Sequence, residues 1–462
     1  MRMSRASACL AMLVIAVAGP VASDAHAATL SLVGSTTTIC QLVGETVWAS
    51  GAPTAARTLS NFGLDAVDLG FPVDTGKGPL YLLFGDSIPD GHPTGSFPSV
   101  PPDDALGLTT RTAVPDSKNC LDLQLALSAP NTFAHPTVHP PIQQGSFNVP
   151  TGGVFFDDKF YAFFWTDHCV FPTPLLPDSG APLTRPPPSP LCPEIPLSNS
   201  IGRSVLAQAT PGDPIDFNQA VPPVTMPNGF VYVSAAKPEG DVDRPREDDR
   251  PRGIPVFGAA RYRASIPYLA IAPRETFGDP GTWSFFAGRV GGHPYWVTRA
   301  QWESGHNASG EWVPPAGAEI YDDNPLGQRC VGEHSVTWNH ELKVWLLLNN
   351  CVSVIEARFA RDPWGPWSPP IVLLDSLNPA FACTLLQTAT GCPGLRNYWN
   401  LPGGTPWPGF FYAPFVLTRF TGGEKHEHEH DAEARRATIY WLVSTWNPYV
   451  VVVMRSTLEL TP

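Results

Sequence analysis

Apolar residues along this chain come in short runs, and polar or Pro/Gly-rich segments separate them. The clearest runs are residues 80–84, 153–165, 229–235, 268–272, 332–349, 410–418, 438–445 and 449–454. None carries the 3.6-residue periodicity of a long amphipathic helix, so the pattern predicts β-strands. Two runs break around a short polar turn and read as hairpins. In one, Asp157-Asp158-Lys159 separates Gly153–Phe156 from Phe160–Trp165. In the other, Asn339-His340-Glu341 separates Ser335–Trp338 from Leu342–Leu348. These turn residues tolerate tight backbone geometry.

The hairpins recur. Tyr81-Leu82-Leu83-Phe84-Gly85-Asp86 and Tyr161-Ala162-Phe163-Phe164-Trp165-Thr166-Asp167 are both aromatic strands that run into an aspartate. Similar units return roughly every 70–90 residues, a spacing that suits radially repeated four-stranded sheets. The expected fold is all-β, a single-domain propeller of about five blades. A pair of β-sandwiches would share the composition. The propeller is preferred because the hairpins span the chain with no linker between halves.

Composition supports this reading. Pro (53) and Gly (40) supply many turns, while 14 Trp and 24 Phe supply a large aromatic core, which argues against disorder. The N-terminus is expected to be a secretory leader. Arg2 and Arg5 precede an apolar stretch over residues 8–19, and Ala25-His26-Ala27 offers a small-x-small cleavage site. That leaves residues 28–462 as the mature domain, released to the periplasm or the exterior. No later stretch is apolar enough to span a bilayer. The net charge of −13 argues against nonspecific nucleic-acid binding.

Eight cysteines remain after the leader, an even number that favours disulfides in an exported chain. Proximity in sequence pairs Cys169–Cys192, Cys330–Cys351 and Cys383–Cys392, and Cys40–Cys120 remains. Residues 172–196, 237–252 and 424–436 read as insertions. The last is rich in alternating His and Glu and is read as a solvated hairpin loop rather than a metal site.

Two acids stand out. Asp68 lies in Leu64-Asp65-Ala66-Val67-Asp68-Leu69-Gly70, and Asp86 ends the run in Leu83-Phe84-Gly85-Asp86-Ser87. Carboxylates brought together by adjacent strands can split a glycosidic bond, one protonating the leaving oxygen while the other activates water or attacks the sugar. The acid partner keeps its proton if burial or a like charge raises its pKa. In a propeller, Asp167 and Glu333 would join them around the channel mouth. The structural alternatives are concrete. Asp86 after glycine could be a turn residue. Asp65 reads as a turn or surface acid, and Asp157 and Asp158 as hairpin residues. Glu333 could form a buried ion pair, and His334 a strand hydrogen bond. No G-x-S-x-G elbow, H-E-x-x-H, P-loop or Rossmann fingerprint occurs. No loop matches a dedicated calcium motif, so no cofactor is expected beyond a structural Ca²⁺ that the architecture could accept.

The order and spacing of several segments resemble the DUF4185 family, grouped with glycoside hydrolases as endo-acting D-arabinanases. They are Val67-Asp68-Leu69-Gly70, Leu83-Phe84-Gly85-Asp86-Ser87, Gly332-Glu333-His334-Ser335-Val336-Thr337-Trp338-Asn339 with Val344-Trp345, Ala360-Arg361-Asp362-Pro363-Trp364-Gly365-Pro366-Trp367-Ser368, Tyr412-Ala413-Pro414-Phe415, and Tyr440–Tyr449. The resemblance implies a five-bladed propeller that cleaves within arabinofuranose polymers such as arabinogalactan or lipoarabinomannan. It places the catalytic aspartates at Asp68 and Asp86, sets Glu333 in the same funnel, and makes Asn447 and Tyr449 candidate substrate contacts; Asp167 and His334 join them as candidate substrate contacts on the reading of the residues alone. Ser87 stands where the family often has threonine, and the insertions could reshape the rim. A non-catalytic glycan-binding propeller and a protein-binding scaffold are the alternatives. Neither requires two close carboxylates.

Overall fold

A computed structural model describes residues 28–89, 103–136, 149–166, 203–217, 224–236, 252–260, 265–308, 312–321, 330–351, 353–401, 403–422 and 434–462. Five antiparallel sheets account for nearly all of their strands, with one extra two-stranded ribbon, Leu127–Ala129 with Thr132–Phe133. Each sheet is a blade. Blade I holds Leu64–Asp74, Leu80–Pro89, Asp103–Thr109 and Gln124–Leu125. Blade II holds Val149–Phe156, Lys159–Thr166, Arg203–Gln208 and Val224–Thr225. Blade III runs from Tyr232–Ala235 to His293–Val297 and has five strands. Blade IV holds His334–Asn339, Val344–Cys351, Val354–Ala360 and Ile371–Asp375. Blade V joins the two ends of the domain: Thr29–Gln41 pairs with the last strand, Val450–Thr461, which pairs with Arg435–Thr445 and through it with Phe411–Val416.

The first strand of each blade packs against the first strands of the blades on either side, so the ring closes from blade V back to blade I. The chain is the five-bladed propeller that its hairpin repeat predicts. Blades stack face to face, so a middle strand is covered on both sides and has no polar face. Val344–Cys351 is accordingly buried along its whole length. One core cluster joins Leu346 and Leu348 of blade IV to Trp441, Val443, Val452 and Met454 of blade V. Another joins Phe163 of blade II to Val256 and Trp302 of blade III.

Local chemistry sets the turns. Asp157 and Asp158 both adopt positive φ, 50° and 57°, the twist that a two-residue hairpin between right-twisted strands requires. The blade IV turn falls later than the sequence suggests, because His334–Asn339 extends through Asn339 and Lys343 takes the positive φ. Disulfides Cys40–Cys120, Cys330–Cys351 and Cys383–Cys392 are present as expected. Cys169 and Cys192 lie outside the described residues, as do the leader over 1–27, Asp167, His168, residues 172–196, and most of the insertions near 237–252 and 424–436. Arg435 and Arg436, read as the end of the last insertion, instead begin the strand Arg435–Thr445. Arg435 donates to the Leu342 carbonyl, and Arg436 pairs with Glu459. Among the described residues no helix is long and apolar enough to cross a membrane.

Candidate active site

Asp68 sits on the inner strand of blade I and Asp86 on the strand beside it, where Asp68 stands opposite Gly85 in the register. Regular alternation would turn these side chains by strict rule, but the ladder is interrupted here. The register shifts between Ala66 and Asp68, again between Leu69 and Phe71, and on the outer side between Phe84 and Ser87. Bulges of this kind bend a strand and re-aim a side chain. Leu69 and Asp86 adopt positive φ, 60° and 34°. The same happens on the neighbouring inner strand of blade V, where the register shifts after Tyr412 and Ala413 has φ 53°. Non-glycine residues in that region cost of order 1–3 kcal/mol each. One of the three is Asp86 itself, and Leu69 follows Asp68 directly.

The seam between blades I and V holds the distorted backbone. Ser444 accepts from the Leu69 amide at 2.9 Å and donates to the Leu69 carbonyl at 3.4 Å, so the bulge leaves neither group unpaired. The Val67 amide donates to the Tyr449 carbonyl at 3.3 Å. Tyr412 donates its phenol proton to Asp68 Oδ2 at 3.0 Å. Gly85 makes room for the other carboxyl oxygen, since a Cβ there would stand 2.9 Å from Asp68 Oδ1 and 2.7 Å from Leu69 Cδ1.

Electrostatics separate these acids from ordinary surface carboxylates. Asp68 is buried, and burial pushes its carboxyl well above the usual range. The negative charge of Asp86 and then that of Glu333 push the same way, against hydrogen bonds from Tyr449 and Tyr412. Asp86 is half-buried, and burial raises it to about 7 against a hydrogen bond from Tyr449. Tyr449 is buried between them. Burial, followed by the charge of Asp68, raises its phenol well above its ordinary value, so it stays protonated. Both shifts favour the protonated carboxyl, so the pair resists losing both of its protons near neutral pH.

The remaining candidates are all buried and separate by what their side chains meet. Glu333 is buried just ahead of the inner strand of blade IV and contributes its charge to Asp68. His334 is a buried strand residue with Nδ1 3.0 Å from the Gly332 carbonyl. Burial lowers it to about 4, so it is neutral, with Nδ1 turned to the backbone. Asn447 is fully buried. Its amide donates to Asn397, Trp399 and Trp407 and accepts from the Tyr398 amide, so it clamps the 397–407 loop and has no surface to offer a substrate. Asp65 is neither a turn nor a surface acid. It is buried in the strand and bound at both oxygens by Arg396, at 2.7 and 2.6 Å.

Sequence reasoning gave Tyr412 no role. Its segment was visible, but its phenol reaches Asp68 only through the closure of the ring. From Tyr412 and Tyr449 an aromatic wall runs outward. Phe410 stacks on Trp446 at 5.9 Å, Trp407 meets Trp446 edge-on at 5.5 Å, and Trp407 is 36% exposed.

Residues 250–455 match the family model DUF4185, a domain of unknown function. Over these residues, a little under half of the sequence, the chain is similar to DUF4185. The matched part includes Glu333, Tyr412 and Tyr449, while Asp68 and Asp86 precede it. No curated protein matches the chain. Among solved structures, a provisionally assigned hydrolase from Bacteroides ovatus ATCC 8483 is 11% identical, with 86% of this chain and 87% of that one covered and a TM-score of 0.47. A GH43 β-xylosidase/α-arabinofuranosidase from a compost microbial metagenome is 9% identical, with 84% and 94% covered and a TM-score of 0.35. A GH43 endo-arabinanase from Bacillus licheniformis is 9% identical, with 84% and 96% covered and a TM-score of 0.32.

Proposed function

We propose that this DUF4185-like propeller is an exported glycoside hydrolase that cuts within a furanose-containing polysaccharide, with D-arabinan of arabinogalactan or lipoarabinomannan as the substrate. One observation carries the reading: a buried carboxyl, Asp68, and a half-buried one, Asp86, share one hairpin whose backbone takes positive φ at Leu69 and at Asp86 itself, beside Ala413 of the next blade. A structural ion pair would supply a cation between such acids. Here the groups that bond the acids are phenols, Tyr412 on Asp68 and Tyr449 on both, which orient a carboxyl without discharging it.

The division of labour follows from the surroundings. Asp68, the deeper acid with the more strongly raised pKa, keeps the proton and delivers it to the leaving glycosidic oxygen. Asp86, with part of its surface open, acts in its ionised form on a water or on the anomeric carbon. Glu333 adds negative charge, which favours the proton on Asp68 and the positive charge that develops on the sugar ring. The wall from Tyr412 to Trp407 offers faces on which successive sugar rings stack. The three disulfides suit an oxidising compartment and a leader over residues 1–27.

Digestion of arabinogalactan and lipoarabinomannan tests this. The wild type should release oligosaccharides, while Asp68→Asn and Asp86→Asn should each lose at least about 100-fold in rate while folded. Equal release by all three proteins would sink the assignment.

A further inference from the structure

The channel has a second chamber. It lies on the same axis as the acid pair but at the opposite face, where the inner strands end. Its volume is about 320 Å³, and every blade contributes to its wall, among others Asp74, Phe155, Ser234, Trp338 and Arg419. Between the two ends, Phe71 and Phe415 meet edge to face at 5.0 Å, both buried. Phe71 follows Asp68 and precedes Asp74 on one strand, and Phe415 follows Tyr412 on its neighbour. The inner strands of blades II and III also close together here, since a Cβ on Gly152 would stand 2.0 Å from the Val233 carbonyl. A polymer that reaches the acid pair therefore does not thread through to the far chamber.

The chemistry of the far wall selects its ligand. Arg419 is bound to both oxygens of Asp74 and donates to the carbonyls of Gly76 and Gly78 at 3.4 and 2.9 Å. Its charge is matched and its geometry fixed, so it is a poor anion receptor but a rigid fork of donors and acceptors. Among the described residues no group of three His, Cys, Asp or Glu could hold a metal ion. Hydroxyl side chains, Ser234 and Thr337 among them, line the space. Trp338 is half-buried and held edge-on by Trp345 at 5.7 Å. The Asp74–Arg419 pair fixes the wall without offering a free charge, the hydroxyls offer hydrogen bonds, and the indole offers a face for the C–H side of a sugar ring. The volume is at the low end for small-molecule sites, roughly 300–1,000 Å³.

From this geometry we infer that the far end of the channel is a second, non-catalytic site for a neutral saccharide of one or two rings. The site stands apart from the acid pair, and its test does not depend on hydrolysis. Calorimetry with D-arabinose, D-galactose and an arabinose disaccharide, with sodium phosphate as the anionic probe, measures binding to the full mature chain. Asp86→Asn should bind these sugars as the wild type does. Thr337→Trp, which fills the chamber, should weaken binding at least about tenfold and leave polysaccharide turnover unchanged. Sugar-soaked crystals of Asp86→Asn should show density between Trp338 and Arg419, which keeps the test decisive if Thr337→Trp fails to fold. The inference is overturned if no neutral sugar binds, if phosphate binds more tightly than the sugars, or if a folded Thr337→Trp binds unchanged. Density confined to the acid pair also overturns it.

Discussion

Neutralising Asp86 should stabilise the fold while removing its activity, and the pH dependence of that gain tests the description of the acid pair. Asp86→Asn keeps the shape of the side chain. Asparagine also tolerates the left-handed backbone at φ 34° as well as aspartate does, so the change isolates the charge. The carboxyl is raised from 3.8 to about 7 in the fold, chiefly by burial. Below about pH 4 it is protonated in both the folded and unfolded chain, and its full contribution is present. As pH rises from about 4 to about 7, the unfolded chain ionises first and the fold loses stability. Above about 7 both forms are ionised and the loss is complete. At about 1.36 kcal/mol per pH unit the ceiling is about 4 kcal/mol. Asp86 keeps an opening to water, and screening there reduces the expected gain to about 2 kcal/mol. Asp68 shifts in the same direction and is relieved when its neighbour loses charge, so the effects reinforce each other. Urea unfolding of wild type and Asp86→Asn at pH 4 and pH 8 measures this. The variant should match the wild type at pH 4 and exceed it by about 2 kcal/mol at pH 8. An equal difference at both pH values, or a variant weaker at pH 8, would refute the account of an Asp86 carboxyl whose pKa the fold raises.

Three further changes probe the supports of the site. Gly85→Ala puts a methyl group against Asp68 Oδ1 and Leu69 Cδ1. It should cost about 1–2 kcal/mol in stability but about 100-fold in polysaccharide cleavage, and a folded variant with wild-type turnover would show that the position of the Asp68 carboxyl is not critical. Asn447→Ala strips the 397–407 loop of its clamp, and chemical denaturation should show a loss of about 3 kcal/mol with tryptophan emission from Trp399 and Trp407 shifted to the red. Emission and stability like the wild type would mean the loop is held elsewhere. Replacing Cys40 and Cys120 together by serine unties the N-terminal strand from blade I. The melting temperature should fall by an amount equivalent to about 3–4 kcal/mol, and an unchanged melting temperature would exclude a role in closing the ring.

What the sequence reveals here is mostly what neighbouring residues decide. The Asp157-Asp158 turn, the strand runs around Trp165 and Val451, and the disulfides Cys330–Cys351 and Cys383–Cys392 rest on local pattern, and the structure contains them. Two residues whose partners are remote, Asp65 and Asn447, take roles that the local pattern does not show. Asp65 reads as a surface acid because nothing near it is basic, yet Arg396 reaches it when blade V closes onto blade I. The resemblance makes Asn447 a candidate sugar contact, and only the return of the 397–407 loop shows that its amide is used internally.

The acid pair lies between these cases. Apolar flanks and Gly85 make Asp68 and Asp86 visible, but the positive φ at Leu69 and Ala413 has no signal in those residue types. That conformation persists because Ser444 bonds both the amide and the carbonyl of Leu69 from the neighbouring blade. The site therefore depends on the closed ring as much as on its own hairpin. Blade V supplies Tyr412, Tyr449 and Ser444, and Thr29–Gln41 completes that blade. Hydrogen exchange at the Leu69 amide should consequently follow the opening of the blade I–blade V seam rather than the fraying of the blade I hairpin.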